Sequence, residues 1–135
     1  MSSNIAALVV MPRPRVLPLL RCLEACSVEA LWVATRRELQ QALRQYPDVD
    51  VVLTDVTLPD GDWRGVLEEV NCRAEVIVCV SQPERSFYCE VIQNGAYDVL
   101  SEPEDFTNLR RLLRAAASRH QMRRLSALLA QRKSA

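Results

Sequence analysis

Asp50–Asp62 reads DVVLTDVTLPDGD, and this stretch decides the fold. Val51, Val52 and Leu53 are apolar without alternation, the pattern of a strand buried on both faces. Leu58-Pro59-Asp60-Gly61-Asp62 reads as a loop. Asp55 follows the strand directly. A carboxylate at the tip of a buried parallel strand is poised for a ligand, a metal or a phosphoryl group. Its plainer role is a loop aspartate that accepts hydrogen bonds from nearby amides.

The same unit recurs outward from this stretch. Ile5–Val10 is a continuous apolar run that reads as a buried strand, broken by Met11-Pro12-Arg13-Pro14. Leu17, Leu19, Leu20, Leu23 and Ala25 predict a helix, with Pro14 and Pro18 confined near its start. Ala30–Ala34 reads as a short strand. Thr35-Arg36-Arg37-Glu38 is a capping box opening a helix with Leu39, Ala42 and Leu43 on one face. Val66–Val70 predicts a short helix, and Glu75–Val80 a third buried strand. Ser81-Gln82-Pro83-Glu84 reads as a second capping box, before a helix that Asn94-Gly95 ends. Tyr97–Leu100 reads as a strand and Glu102–Asp105 as a turn, with helix from Phe106 onward. Strand–helix units of about 20 residues predict an α/β fold with a parallel sheet covered on both faces. In such sheets chemistry sits beyond the carboxyl ends of the strands. Those ends are Met11/Pro12, Asp55, Val80/Ser81 and Glu102.

Composition narrows the class. The chain has 135 residues, 49% hydrophobic and 25% charged, which fits one domain with a sizeable core. No apolar run approaches the roughly 20 residues of a membrane helix. The N-terminus lacks the basic start and long apolar stretch of a secretion signal, so a cytoplasmic location is expected. Cys22, Cys26, Cys72, Cys79 and Cys89 form no Cys-x-x-Cys pair, and His120 is the single histidine, so no zinc site is expected. Cys22 and Cys26 are expected to be buried small hydrophobes. Zero net charge hides an asymmetry. Residues 1–105 carry all seventeen acids and nine bases, while residues 106–135 carry eight bases and no acid.

LTDVTLPDGD at 53–62 resembles the phosphoacceptor loop of the receiver domain of two-component response regulators. GAYDVLSEP at 95–103 resembles that family's fifth strand and Lys-Pro turn. The resemblance covers residues 4–118 and implies a flavodoxin-like sheet of order 2-1-3-4-5. It also implies a nucleophilic aspartate, two acids that help hold Mg²⁺, a hydroxyl after the fourth strand and a lysine before the fifth-strand proline. Mg²⁺ and lysine offset the charge that accumulates on the transferring group. Carried over by position, Asp55 is the candidate phosphoacceptor. The acid pair falls on Met11 and Pro12, which offer a hard cation no side-chain oxygen. The hydroxyl falls on Val80, with Ser81 one residue late, and the lysine falls on Glu102. The family's aromatic falls on Val99, with Tyr97 nearby. The chain thus resembles a degenerate receiver. Arg13 or Arg15 is expected to supply a compensating cation to Asp55 or Glu102. No cofactor is expected, unless Asp60 or Asp62 joins Asp55 around Mg²⁺.

Residues 119–135 are expected to form a basic extension or linker beyond a domain at 1–118. A helix over 106–133 would span about 42 Å. Met122, Leu125 and Leu129, with Leu128 beside them, have coiled-coil spacing. Three roles fit: a helix for dimerisation or for joining an output domain, a solvated extension, or a helix binding nucleic acid or an acidic partner. Docking on another subunit's acidic body also fits. The absence of aromatics after Phe106 argues against direct nucleic-acid contact. The expected function is a signalling module in phosphorelay-type transduction, not an enzyme. It would act without phosphorylation, binding a histidine kinase, an output domain or a second copy. The alternatives are a working phosphoacceptor at Asp55 and a DNA-binding regulator using the basic tail.

Overall fold

The computed structural model describes residues 5–134, with side chains through residue 132. The reading of the first four residues, and the side chain of Lys133 among the eight bases, lie outside them. Five parallel strands form one sheet in the order β2-β1-β3-β6-β7. They are β1 (Ala7–Val10), β2 (Ala30–Val33), β3 (Val51–Asp55), β6 (Glu75–Val80) and β7 (Asp98–Ser101). This is the expected 2-1-3-4-5 order when sheet strands alone are counted. The other two strands, β4 (Thr57–Leu58) and β5 (Gly61–Asp62), form a small antiparallel hairpin. They occupy the stretch expected as a loop. Two-residue strands are too short for any periodicity to announce them.

Alternation along the strands builds two cores. Leu8, Val10, Val52, Val76, Val78 and Val99 face α2 (Arg36–Gln45), α3 (Trp63–Val70) and α4 (Arg85–Gln93). Ala7, Val9, Met11, Leu53, Ile77, Cys79 and Leu100 face α1 (Val16–Ala25) and α5 (Leu109–Ser134). Because both faces are apolar, the strands read as unbroken hydrophobic runs. In α1, Val16, Leu19 and Leu23 are buried at helical spacing. Pro18 is tolerated because the first helical turn has no amide acceptor to lose.

Local signals set most helix ends. Thr35 accepts from the Glu38 amide at 3.1 Å, and the Glu38 carboxylate returns to the Ala34 amide. Gly95 has φ of +104° just past α4, a conformation that favours glycine. Two expectations are corrected. Ser81 does not cap α4: Glu84 is the N-cap, in extended conformation. Pro83 biases Gln82 away from the helical region, which delays the start. The helix expected at Val66 opens three residues earlier at Trp63, because Asp62 accepts from the Arg64 and Gly65 amides.

Glu104–Asn108 is a 3₁₀ turn, and α5 then runs unbroken to Ser134. His120 is buried, Arg119 and Arg123 pair with Glu75, and Arg124 pairs with Asp48. Residues 121–132 are exposed. Burial holds the His120 pKa below its ordinary value, against the raising effect of Asp50.

Candidate functional site: an arginine-bridged carboxylate pair

The sheet brings three strand ends to one edge. Asp55 is the last residue of β3 and pairs with Cys79. The Glu102 amide donates to the Val80 carbonyl at 2.8 Å, prolonging the β6–β7 pairing. The Met11 amide donates to the Val33 carbonyl at 3.0 Å, prolonging β1 beside β2. Parity then sorts the side chains. Asp55 follows Leu53, Glu102 follows Leu100 and Met11 follows Val9, so all point to the face that α1 and α5 cover. Val80 follows Val78 to the other face and packs with the α3–α4 core. Met11 is buried there as a core side chain, and Pro12 is half-buried. Ser81 is exposed in a bend. Val99 is buried in the α3–α4 core, whereas Tyr97 packs on the other face with Arg119 over its ring.

Arg15 sits at the N-cap position of α1 without capping it by its side chain, and reaches back over this edge. Its Nε donates to Asp55 Oδ1 at 3.1 Å, and its Nη1 donates to Glu102 Oε2. Its Nη2 donates to the Cys79 carbonyl at 3.2 Å. One guanidinium therefore holds both carboxylates and a strand end, a planar fork that lysine could not reproduce. Arg13 does not take part: its guanidinium lies 5.2 Å from the Trp32 ring centroid. Asp55 Oδ1 also accepts from the Val56 amide at 2.8 Å. Asp55 and Glu102 are 8% and 7% exposed, so both charges sit in a largely dry site.

Glu102 carries the tension of the site. Its Oε1 is buried without a hydrogen-bond partner. Burial raises its pKa above 4.5 and Asp55 adds to this, although Arg15 acts in the opposite direction. Between pH 4.5 and that raised value the folded protein holds more proton at this site than the unfolded chain. Stability therefore declines as pH rises through the native pKa. Glu102→Gln is expected to remove this segment of the pH dependence. Urea unfolding from about pH 4.5 to 8 checks it, because the variant's stability should gain on the wild type as pH rises. A difference that stays constant with pH would refute it.

Asp60 and Asp62, expected as the conditional companions of Asp55 around Mg²⁺, both sit at helix starts. Asp60 accepts from the Arg36 and Arg37 amides at 2.7 and 3.0 Å, at the start of α2. The bond from the Arg36 amide, helped by that from Arg37, holds its carboxyl below the usual range against the raising effect of burial. Asp62 caps α3. No local signal announced the role of Asp60, because its partners lie more than twenty residues away. Among the described residues, no group of three or more His, Cys, Asp and Glu side chains is placed to hold a metal ion. All five cysteines are free; Cys79 is buried, Cys22 and Cys26 are half-buried, and Cys72 and Cys89 are exposed. Among the described residues no helix is long and apolar enough to cross a membrane.

Known proteins share this fold. No protein-family model matches the chain. It is 34% identical over 104 residues to the two-component response regulator ARR11 of Arabidopsis thaliana, covering 74% of this chain and 20% of that protein. It is 30% identical over 76 residues to the chemotaxis protein CheY of Bacillus subtilis, covering 53% of this chain and 63% of that protein. The chain thus spans a fifth of the plant relative and less than two thirds of the bacterial one. A response regulator receiver domain protein from Clostridium thermocellum superimposes with a TM-score of 0.76 at 20% identity, covering 87% of this chain and 98% of that one. With its sheet order, its strand-end aspartate and these likenesses, the chain has the fold of a response-regulator receiver domain.

Proposed function

We propose that the chain is a receiver module of two-component signalling that acts by binding a protein partner, without phosphorylation and without Mg²⁺. The carrying observation is Arg15, which bridges Asp55 and Glu102. One guanidinium already answers two carboxylates. Acyl phosphate formation would turn the single charge on Asp55 into about −2, beside Glu102. Receivers offset that gain with a divalent cation and a lysine; Met11, Pro12 and Glu102 supply neither. Removing one such electrostatic partner from an active site costs about 3–4 kcal/mol, so a site lacking two disfavours the transfer strongly. The module is a signalling element rather than an enzyme, and a histidine kinase or an output domain is the fitting class of partner.

The test is intact-mass measurement after incubation with Mg²⁺ and a small phosphodonor such as acetyl phosphate. No adduct is expected on the wild type. A phosphoryl adduct that Asp55→Asn abolishes would establish a working phosphoacceptor instead.

A further inference from the structure

α5 turns an apolar and basic face away from the body. At 3.6 residues per turn, the buried Leu113, Ala116, Ala117 and His120 share one side. Arg111, Met122, Leu125 and Leu129 fall on the opposite side, with Arg114 and Arg132 at its border. Met122, Leu125, Leu128 and Leu129 are 50–60% exposed. Scattered exposed leucines need no explanation, but a contiguous row on one face marks an interaction surface. The body answers part of the charge, through Arg119, Arg123 and Arg124. Arg110, Arg111, Arg114 and Arg132 have no ion-pair partner among the described residues.

Charge decides what covers this face. Residues 106–135 contain no acid. Parallel pairing of two α5 helices would set Arg111, Arg114 and Arg132 beside their counterparts. Antiparallel pairing leaves the same arginines with no carboxylate to meet. Like charges along a helix seam are destabilising and select against that pairing.

We propose that the outward face of α5 docks an acidic amphipathic helix of a protein partner. The partner's apolar side chains pack along Met122, Leu125 and Leu129, and its flanking Asp and Glu residues meet Arg111, Arg114 and Arg132. This rests on the reading of the chain as a partner-binding module and specifies the chemistry of that partner. The binding mode is helix against helix, with apolar anchors giving affinity and charge giving selection.

The test uses the full chain and a labelled helical peptide of about three heptads, with Leu at a and d and Glu at e and g. Fluorescence anisotropy is expected to report a Kd of about 10–100 µM at low salt. Raising the salt from about 50 to 300 mM should weaken binding roughly fivefold. Leu125→Glu combined with Leu129→Glu should weaken binding at least tenfold and leave the thermal midpoint unmoved, because both sites are exposed. Arg111→Ala combined with Arg114→Ala should flatten the salt dependence. Equal binding of a peptide with Lys in place of Glu would overturn the proposal, as would unchanged binding by the leucine variant. Two other results would overturn it: a sedimenting self-dimer that the leucine variant dissolves, or duplex DNA binding tighter than the peptide and displacing it. A phosphoryl adduct on Asp55 would overturn the functional reading above and leave peptide binding untouched, so the two failures are separable.

Discussion

Arg15→Ala is expected to lower the stability of the folded chain by about 2–4 kcal/mol, the cost of stripping one partner from a largely buried charge group. In thermal unfolding this corresponds to a midpoint lower by roughly 10 °C for a domain of this size. The reason lies in what remains. Asp55 and Glu102 would keep their burial, 8% and 7% exposed, and lose the cation between them. The effect stays at the lower part of the range for buried pairs because the Arg15 side chain is itself 32% exposed, so water reaches the gap. Arg15→Lys should recover part of the loss, since a point charge survives and the fork does not.

The bridge predicts its own rescue. Combining Arg15→Ala with Glu102→Gln and Asp55→Asn leaves no uncompensated charge, and most of the lost stability should return. A double-mutant cycle between Arg15 and Glu102 should give a coupling of about 1–3 kcal/mol. Urea midpoints of the single, double and triple variants measure these quantities. A single Arg15→Ala variant within about 0.5 kcal/mol of the wild type would show that the bridge is a surface pair of little consequence.

Leu113→Ala should cost about 3 kcal/mol, within the range measured for leucines whose removal leaves a cavity. Leu113 is fully buried where α5 covers the sheet, in one cluster with Leu53, Ile77 and Leu100. Those neighbours belong to three different strands, and strands cannot close inward to fill the void. Leu129→Ala, on the same helix and the same residue type, should change stability by less than about 0.5 kcal/mol. Leu129 is 51% exposed, so its truncation opens no cavity. The contrast, read by urea unfolding, divides α5 into a structural half and a projecting half. Arg119, His120 and Arg123 belong with the first: His120 is buried, and Arg119 and Arg123 meet Glu75. Equal losses at both leucines would mean that the projecting half is packed in solution.

Much of the architecture was legible because its signals are local or periodic. The runs at 7–10, 51–53 and 76–80 are apolar because each strand is covered twice, and periodicity reports that directly. Thr35 and Gly95 marked helix ends because capping needs particular atoms at particular offsets. Ser81 misled for the same reason: it had the right spacing to Glu84, but Pro83 governs the backbone there. The hairpin at Thr57–Asp62 is too short to carry a period. Within the site, Asp55 and the positions Met11, Pro12, Val80 and Glu102 could be named from their places at strand ends, and their departure from the receiver pattern from the family resemblance.

The amino-acid order alone determined a doubly wound parallel sheet, an aspartate at its carboxyl edge and a basic C-terminal helix without acids. Those properties follow from spacing, burial pattern and charge count, which are written along the chain. Only the tertiary structure chose Arg15 over Arg13, gave Asp60 and Asp62 to helix N-termini, and tied Arg119, Arg123 and Arg124 to acids of the body. Apart from the Asp62 cap, whose partners are two and three residues away, each of these is a meeting of groups far apart in sequence. Such meetings depend on strand parity and on where a helix begins above the sheet, and neither is encoded within a few residues of the groups that meet.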